Sequence, residues 1–572
     1  MDKYLYLDPT GKIVVGCDRS VKKVVIPEGV TNIGEHAFEG CTSLFSIEIP
    51  NSVTYIDSVA FRGCTSIRSI VIPNSVKSIE DGAFSCCTSL TMVKIPNGVT
   101  KIGHAAFYGC SSLVSLDIPN CVTFIGDNAF SGCSSLTSIE IPDSVESIGA
   151  RAFYKCSSLI SINISDNVTS IGEDTFKECT SLISIEIPNS VTSIGKMAFW
   201  GCTSLNSIKI SDNVTCIEYE TFTGCTSLTS IEIPNSVTNI KMAAFSFCSS
   251  LTSIEIPNSV ISIGNKAFWE CSSIDSIEIP NSITSIGEAV FYGCSSLISL
   301  YIPNSVTSIG NKAFEGCSSL ISFEVPNSVT SIGDMAFAYC SSLTSIEIPN
   351  SVRNIGDSVF YNCFSLDFIE IPNSITRIGF DAFWGCSSLV SIEIPNSVTS
   401  IGAFAFLGCS SLTFIEIPNS VTSIGDSVFC GCTSLIDICI SDTNKYFANV
   451  DDVLYTKDLT KLICCLSGKQ GDYKIPNSVT SIEDHAFCGC TFLTSIEIPN
   501  SVKSIGESAF QDCTNLKEMH LRNEHPENIE INVYAFAFSD LTDSTLFVPI
   551  GTGYAYRHDE RFKGFKEIKT ER

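Results

Sequence analysis

Three kinds of side chain recur along this 572-residue chain at one fixed step and could do chemistry: thiols, carboxylates and aromatic rings. Cysteines stand at 41, 64, 87, 110, 133 and onward to 432, always 23 residues apart, and the ladder resumes at Cys490 and Cys513. Twenty of the 29 cysteines hold this one position. A disulfide scaffold would use such a number in a short secreted chain, but here the count is odd and the chain long. Adjacent repeats bring the ladder cysteines near a separation compatible with disulfides. The preferred reading is buried thiols acting as small hydrophobes. Cys86-Cys87, Cys430-x-Cys432, Cys464-Cys465 and Cys488-x-Cys490 lack the spaced CxxC…CxxC partners of a zinc site. Some of the nine cysteines outside the ladder are candidates for exposed, reactive thiols. His520 and His525 in "HLRNEHP" are too isolated to form a ligand set.

The carboxylates form a second column, at the middle of a recurring I-x-I triplet: Glu232, Glu255, Glu278, then Tyr301, then Glu324, Glu347, Glu370, Glu393 and Glu416. Earlier members include Glu48, Glu140 and Glu186, with breaks at Val71, Lys94, Lys209 and Cys439. Strands stacked ~4.8 Å apart would leave neighbouring carboxylates repelling by roughly 1 kcal/mol in water. One reading is a negative strip that recruits a basic protein surface or weakly held divalent cations. The other is solvated strand charge that discourages edge-to-edge aggregation. A D-x-D-x-D-G loop for calcium is missing, so no specific metal site is expected. Where Lys94, Lys209 and Tyr301 break the column, a ligand with local features would be read.

Aromatic rings follow the Phe of each "AF" pair: Tyr108, Tyr154, Trp200, Trp269, Tyr292, Tyr361 and Trp384. Exposed on one edge, Trp200, Trp269, Tyr292, Tyr361 and Trp384 would anchor protein or glycan contact. Alternatively they lie flat over the turn and shield its backbone. With no nucleophile–base pairing, Walker loop or HExxH motif, the chain is read as noncatalytic, with no catalytic residue and no cofactor.

The elements that must position these columns follow from the repeat C-[ST]-S-L-x-S-I-x-I-P-N-S-V-T-x-I-G-x-x-A-F-x-G. "SIEI" alternates polar and β-branched residues and predicts a short strand with Ile toward the core. Proline ends it, because it offers no N–H to the ladder, and Asn-Ser supplies turn chemistry. "SVTSI" predicts a second short extended piece. Gly and "AF" then turn the chain back to Cys. About eight buried side chains per repeat return less than ordering the whole repeat costs, so a lone repeat cannot fold and stacking is required.

This 23-residue unit, with its Cys, "IEIPNSVTSIG" and "AF", resembles the BspA-like leucine-rich repeat family over roughly residues 20 to 520. The resemblance implies a β-rich α/β solenoid: a right-handed, curved leucine-rich repeat array with a parallel β-sheet on the concave face, short turns or helical turns on the convex side, and a hairpin N-terminal cap. It also implies adhesion, as in bacterial and protozoan surface or secreted proteins.

The segments read as follows: 1–36, N-terminal hairpin cap and first repeat; 37–440, the array of 23-residue units; 441–489, a long repeat containing a hairpin; 490–535, final repeats; 536–572, C-terminal cap. Between Cys432 and Cys490 the spacing is 58. The segment "VLYTKDLTKLICC" there aligns with the N-terminus at an offset of 449 without gaps, matching Leu5-Tyr6 to Leu454-Tyr455 and Lys12 to Lys461. Either a duplicated cap starts a second array, or one array carries a bulging repeat.

With 34 basic and 61 acidic residues, a net charge of −27 opposes nucleic-acid binding. No apolar run is long enough to span a bilayer, and the opening "MDKYLYLDPTGKIVVG" does not read as a signal peptide. By sequence the chain reads as cytoplasmic, and by family resemblance as cell-surface or secreted. The functional expectation is a noncatalytic scaffold for protein–protein interaction, in adhesion or host or cell-surface binding, whose partner is a basic protein surface or a cell-surface glycoprotein. The alternative is an intracellular interaction or assembly protein in a reducing compartment. Oligomeric state is left open.

Overall fold

A computed structural model describes residues 4–571 apart from 354, 537, 538 and 540, so small parts of both expected caps lie outside the described residues. The chain forms two compact units, Met1–Ser295 and Ser296–Arg572. Each is a parallel β-solenoid of leucine-rich repeat type. Among the described residues the α-helix is limited to Gly553–His558, so hydrogen-bonded turns take the place of helical turns.

In the unit Met1–Ser295 each coil contributes two short strands. The I-x-I strands, such as Ser230–Glu232 and Ser253–Glu255, pair in parallel with a register of one repeat: Ser230 faces Ser253, Ile231 faces Ile254 and Glu232 faces Glu255. Two-residue strands such as Asn239–Ile240 and Ser262–Ile263 pair in the same way and build the second sheet. Equal repeat length therefore places equal positions in columns. The expected inward set is buried: Ile231, Ile233, Val237, Ile240, Ala244, Phe245 and Cys248 in one repeat.

The "AF" turn is itself a ladder. The Phe245 N–H donates to the Ala267 carbonyl of the next coil at 2.9 Å. Just before this pair the chain takes φ 55° at Ala243, which tightens the turn and aims Phe inward. The rings then form an offset stack, with centroids 5.4 Å apart for Phe222–Phe245 and 5.6 Å for Phe245–Phe268. The constant step of the cysteines gains a physical reason here. Away from the hairpins the ladder thiols donate to the Phe carbonyl of the preceding coil, as Cys225 Sγ does to Phe199 O at 3.2 Å and Cys248 Sγ to Phe222 O at 3.1 Å. Burial pushes the Cys156, Cys202 and Cys248 thiols up to about 12, so the proton that makes this bond stays on sulfur.

The unit Ser296–Arg572 repeats this construction. Its I-x-I strands Ser322–Glu324, Ser345–Glu347 and Phe368–Glu370 run in register, as do Ser391–Ile392, Phe414–Ile417 and Asp437–Ile440. After the long repeat the sheet resumes as Gly471–Lys474, Leu493–Ile498, Glu518–Leu521, Thr545–Pro549 and Glu567–Glu571. The expected hairpin is present: Val453–Thr456 pairs antiparallel with Lys461–Cys465, and Phe447–Val450 adds a third strand.

The hairpins at the two places match, with a one-residue correction to the sequence alignment. Leu5, Tyr6 and Leu7 face Cys17, Gly16 and Val14, while Val453, Leu454 and Tyr455 face Cys465, Cys464 and Leu462. The pairings agree at an offset of 448, against 449 for the coil that follows. The link from Cys465 to Ile475 is one residue longer than that from Cys17 to Ile26. The shift also brings equivalent thiols together: Cys17 and Cys41 approach to 2.8 Å between sulfurs, and Cys465 lies in hydrogen-bond contact with Cys490.

Candidate protein-binding face

The alternation of I-x-I buries both isoleucines and turns the middle residue outward, so Ile346 and Ile348 lie in the core while Glu347 between them is exposed. Register then converts sequence spacing into a charge ladder. Glu324 faces Glu347, Glu347 faces Glu370, and Glu370 bridges to Glu393, with Glu416 in the next coil. In the other unit Glu232 faces Glu255, with Glu278 in the next coil.

Counter-charge divides this column into two kinds of stretch. Lys23 holds Glu48 at 3.1 Å, Lys209 holds Glu186 at 2.5 Å, and Lys474 holds Glu497 at 2.8 Å. Arg522 bridges Glu497 at 3.1 Å and Glu571 at 2.7 Å. The hydrogen bond from Lys474, aided by Arg522, holds the Glu497 carboxyl below the usual range. Among the described residues, no ion pair is formed by Glu232, Glu255, Glu278, Glu324, Glu347, Glu370, Glu393 or Glu416. The sequence-predicted acidic residues are thus brought together in two runs without ion pairs, one per unit, although Glu232 lies close enough to Lys209 to feel its charge.

Of the breaks at Lys94, Lys209 and Tyr301, two open clefts. Around Tyr301 a cleft of about 430 Å³ is lined by Ser299, Tyr301, Asn304, Glu324 and Asn327. Around Lys94 a cleft of about 500 Å³ is lined by Met92, Lys94, Asn97, Asp117 and Asn120. At Lys209 the break is closed by the pair with Glu186. A larger cleft of about 650 Å³ lies on the other sheet, between Asp426, Glu483, Asp484, Glu530 and Arg561. Sequence reading did not find it, because the long repeat alone brings these residues together. Burial, with Asp484 and Glu483 alongside, pushes the Asp426 carboxyl up. Among the described residues no group of three or more His, Cys, Asp and Glu is placed to hold a metal ion.

In the aromatic column Trp200, Trp269, Tyr292, Tyr361 and Trp384 are half-buried, while Tyr108 is exposed. Trp269 packs at 4.8 Å from Tyr292 and under Lys266 at 4.4 Å, and Trp200 lies under Lys177 at 4.9 Å. In the other unit Tyr361 meets Tyr339 at 5.3 Å and Trp384 at 5.4 Å, and Trp384 meets Phe404 at 5.6 Å. Ring faces are therefore shared with neighbours, and part of each ring remains open. Asp381, whose carbonyl accepts from the Trp384 N–H at 3.1 Å, is 8% exposed with its Oδ1 unpartnered. Burial, reinforced by Asp357, pushes its carboxyl up to about 6.

Of the nine cysteines outside the ladder, Cys439 is exposed; Cys17, Cys86, Cys121 and Cys216 are half-buried; Cys464 and Cys465 are buried. The remaining two, Cys430 and Cys488, are joined by a disulfide with Cα atoms 5.5 Å apart.

The family description "BspA type Leucine rich repeat region (6 copies)" matches residues 15–137, 123–252, 238–366, 353–470 and 464–552. Among solved structures, a leucine-rich repeat protein from Bacteroides ovatus is 26% identical, with 77% of this chain and 93% of that chain covered and a TM-score of 0.41. A leucine rich cell surface protein from Faecalibacterium prausnitzii is 31% identical, with 65% and 93% covered and a TM-score of 0.40. No curated protein matches the chain. With family matches running from residue 15 to residue 552, this chain belongs to the BspA-type leucine-rich repeat family.

Proposed function

We propose that the chain is a noncatalytic scaffold for protein–protein interaction, and that the I-x-I face, concave in this class of solenoid, is its contact surface. The observation that carries the reading is the run Glu324, Glu347, Glu370, Glu393 and Glu416, which stands exposed without counter-charge while Glu497 farther along is neutralised twice. Like charges stacked at the coil spacing of ~4.8 Å cost roughly 1 kcal/mol per neighbour even in water. A basic protein surface relieves that cost and gains steering from it.

Glu232, Glu255 and Glu278 form a second contact of the same kind, and the partly open rings of Trp200, Trp269, Tyr292, Tyr361 and Trp384 form an edge for protein or glycoprotein. Adhesion to host or neighbouring cells is the setting that the family likeness favours. No helix among the described residues is long and apolar enough to cross a membrane.

The test is capture of poly-lysine and of a basic globular protein by the immobilised chain. Both bind at about 0.05 M salt and are released near about 0.5 M, where screening shortens to ~4 Å. Capture that survives in a variant with all five glutamates of the Glu324–Glu416 run changed to Gln refutes the assignment.

A further inference from the structure

The I-x-I face of the unit Ser296–Arg572 also carries a row of apolar side chains that the fold does not bury. Across seven successive coils, six place one at either of two adjacent positions: Ile298, Ile321, Phe368, Val390, Phe414 and Ile436, with polar Thr344-Ser345 the exception. Their exposures are 50, 51, 57, 50, 44 and 72%. The repeat does not require this. In the other unit these positions are apolar and exposed at Phe45, Met92, Val114, Ile160 and Ile183, but polar in the four successive coils Asn206-Ser207, Thr229-Ser230, Thr252-Ser253 and Asp275-Ser276. Exposed apolar side chains gathered along one face mark an interaction surface.

The row runs beside the uncompensated glutamates. Phe368 and Glu370 lie two residues apart on one strand, as do Phe414 and Glu416, about 6.8 Å from the glutamates, while Ile298, Ile321, Val390 and Ile436 stand one residue farther back. At one end the Tyr301 cleft adds a ring that is 64% exposed. An occupant must therefore show an apolar stripe and a basic stripe side by side, along the direction of coil stacking.

We infer that this face seats a basic amphipathic α-helix of a partner protein. The inference rests on the reading of the glutamate ladder as a contact surface and names its occupant. Periodicity selects the helix. Five glutamates span four coil steps, about 19 Å at ~4.8 Å each. A helix returns a side chain to the same face every ~5.4 Å, so it drifts by about 2.4 Å over that span, within reach of flexible lysine stems. An extended strand repeats every ~6.7 Å and drifts by about 7.6 Å, more than a whole coil. A helix about 10 Å across covers both rows at once, and about 16 residues reach from Ile321 to Ile436. The chain also shows how a cation sits against a carboxylate of this column, in the Arg522 guanidinium and the Lys474 ammonium that pair with Glu497. An anionic lipid surface is disfavoured, because the same glutamates repel it.

The test uses the full chain and two fluorescent peptides of about 18 residues. One places Leu and Lys on adjacent helical faces, and the other is a scramble of the same composition. The helical peptide is expected to bind at least about tenfold more tightly and to gain helical circular dichroism on binding. Phe368→Ser with Phe414→Ser is expected to lower that affinity about tenfold or more, with unchanged melting because both side chains are exposed. Equal, salt-sensitive binding of both peptides, or tight binding by the double variant, overturns the helix and leaves the acidic contact surface standing. Failure of both peptides to bind at low salt overturns both.

Discussion

Phe245→Ala probes the device that joins one coil to the next. The ring is fully buried and stacks on Phe222 at 5.4 Å and on Phe268 at 5.6 Å. A phenylalanine buries about 200 Å², worth about 5 kcal/mol at ~25 cal/mol per Å², an upper value because the unfolded chain already hides some of that area. Truncations of this kind cost about 3–5 kcal/mol once the cavity is included. In a linear array that cost falls on the mutated coil and its neighbours. Native-state hydrogen exchange reads it locally, at the Phe245 N–H bonded to Ala267 O and at the Phe222 N–H bonded to Ala244 O. Protection there is expected to fall by roughly a hundredfold to a few thousandfold, at 1.4 kcal/mol per decade. A change of less than about tenfold, or one spread evenly over the whole unit, would refute the stacking argument.

Three further outcomes follow from named groups. Alkylation of the native chain at mildly basic pH is expected to modify exposed Cys439 first, whereas buried Cys248, whose thiol is pushed up to about 12, reacts after denaturation; mass-mapped adducts check the order, and early modification of Cys248 contradicts it. The Asp381 carboxyl is raised to about 6 from 3.8, so it binds its proton more tightly folded than unfolded, and its contribution turns against the fold as pH rises from about 4 to about 6. Asp381→Asn is therefore expected to raise the melting temperature at pH 7 and to leave it nearly unchanged at pH 4, and a lower melting temperature at pH 7 contradicts this. Arg522→Ala frees Glu497 of one of its two cations, so poly-lysine is expected to bind about two- to fivefold more tightly; weaker binding would show that Arg522 does not compete for the ladder.

The period of the cysteines made the coil legible in the sequence, because β-branched alternation and Pro-Asn-Ser turns leave few other ways to bury Ile231, Ile233 and Phe245. The acidic column was legible too, since equal spacing implies register. The apolar row was not. Phe368 and Phe414 occupy one repeat position and Val390 and Ile436 the one before it, so no single position repeats and the stripe exists only once coils are stacked. The hairpin offset was misread by one because matching Lys12 to Lys461 follows residue identity, whereas strand pairing equates Val14 with Leu462. The thiol-to-carbonyl bond of Cys248 needs the distance to a residue 26 positions away, and a column of cysteines alone does not reveal a donor.

The central claim is that a basic partner binds along the exposed ladder from Glu324 to Glu416. Its most direct measurement is the affinity of the full chain for the helical lysine–leucine peptide as Glu324, Glu347, Glu370, Glu393 and Glu416 are changed to Gln one after another. A stepwise fall, with a salt dependence that flattens at each step, is the predicted result. An affinity that stays constant through the fifth substitution would contradict it.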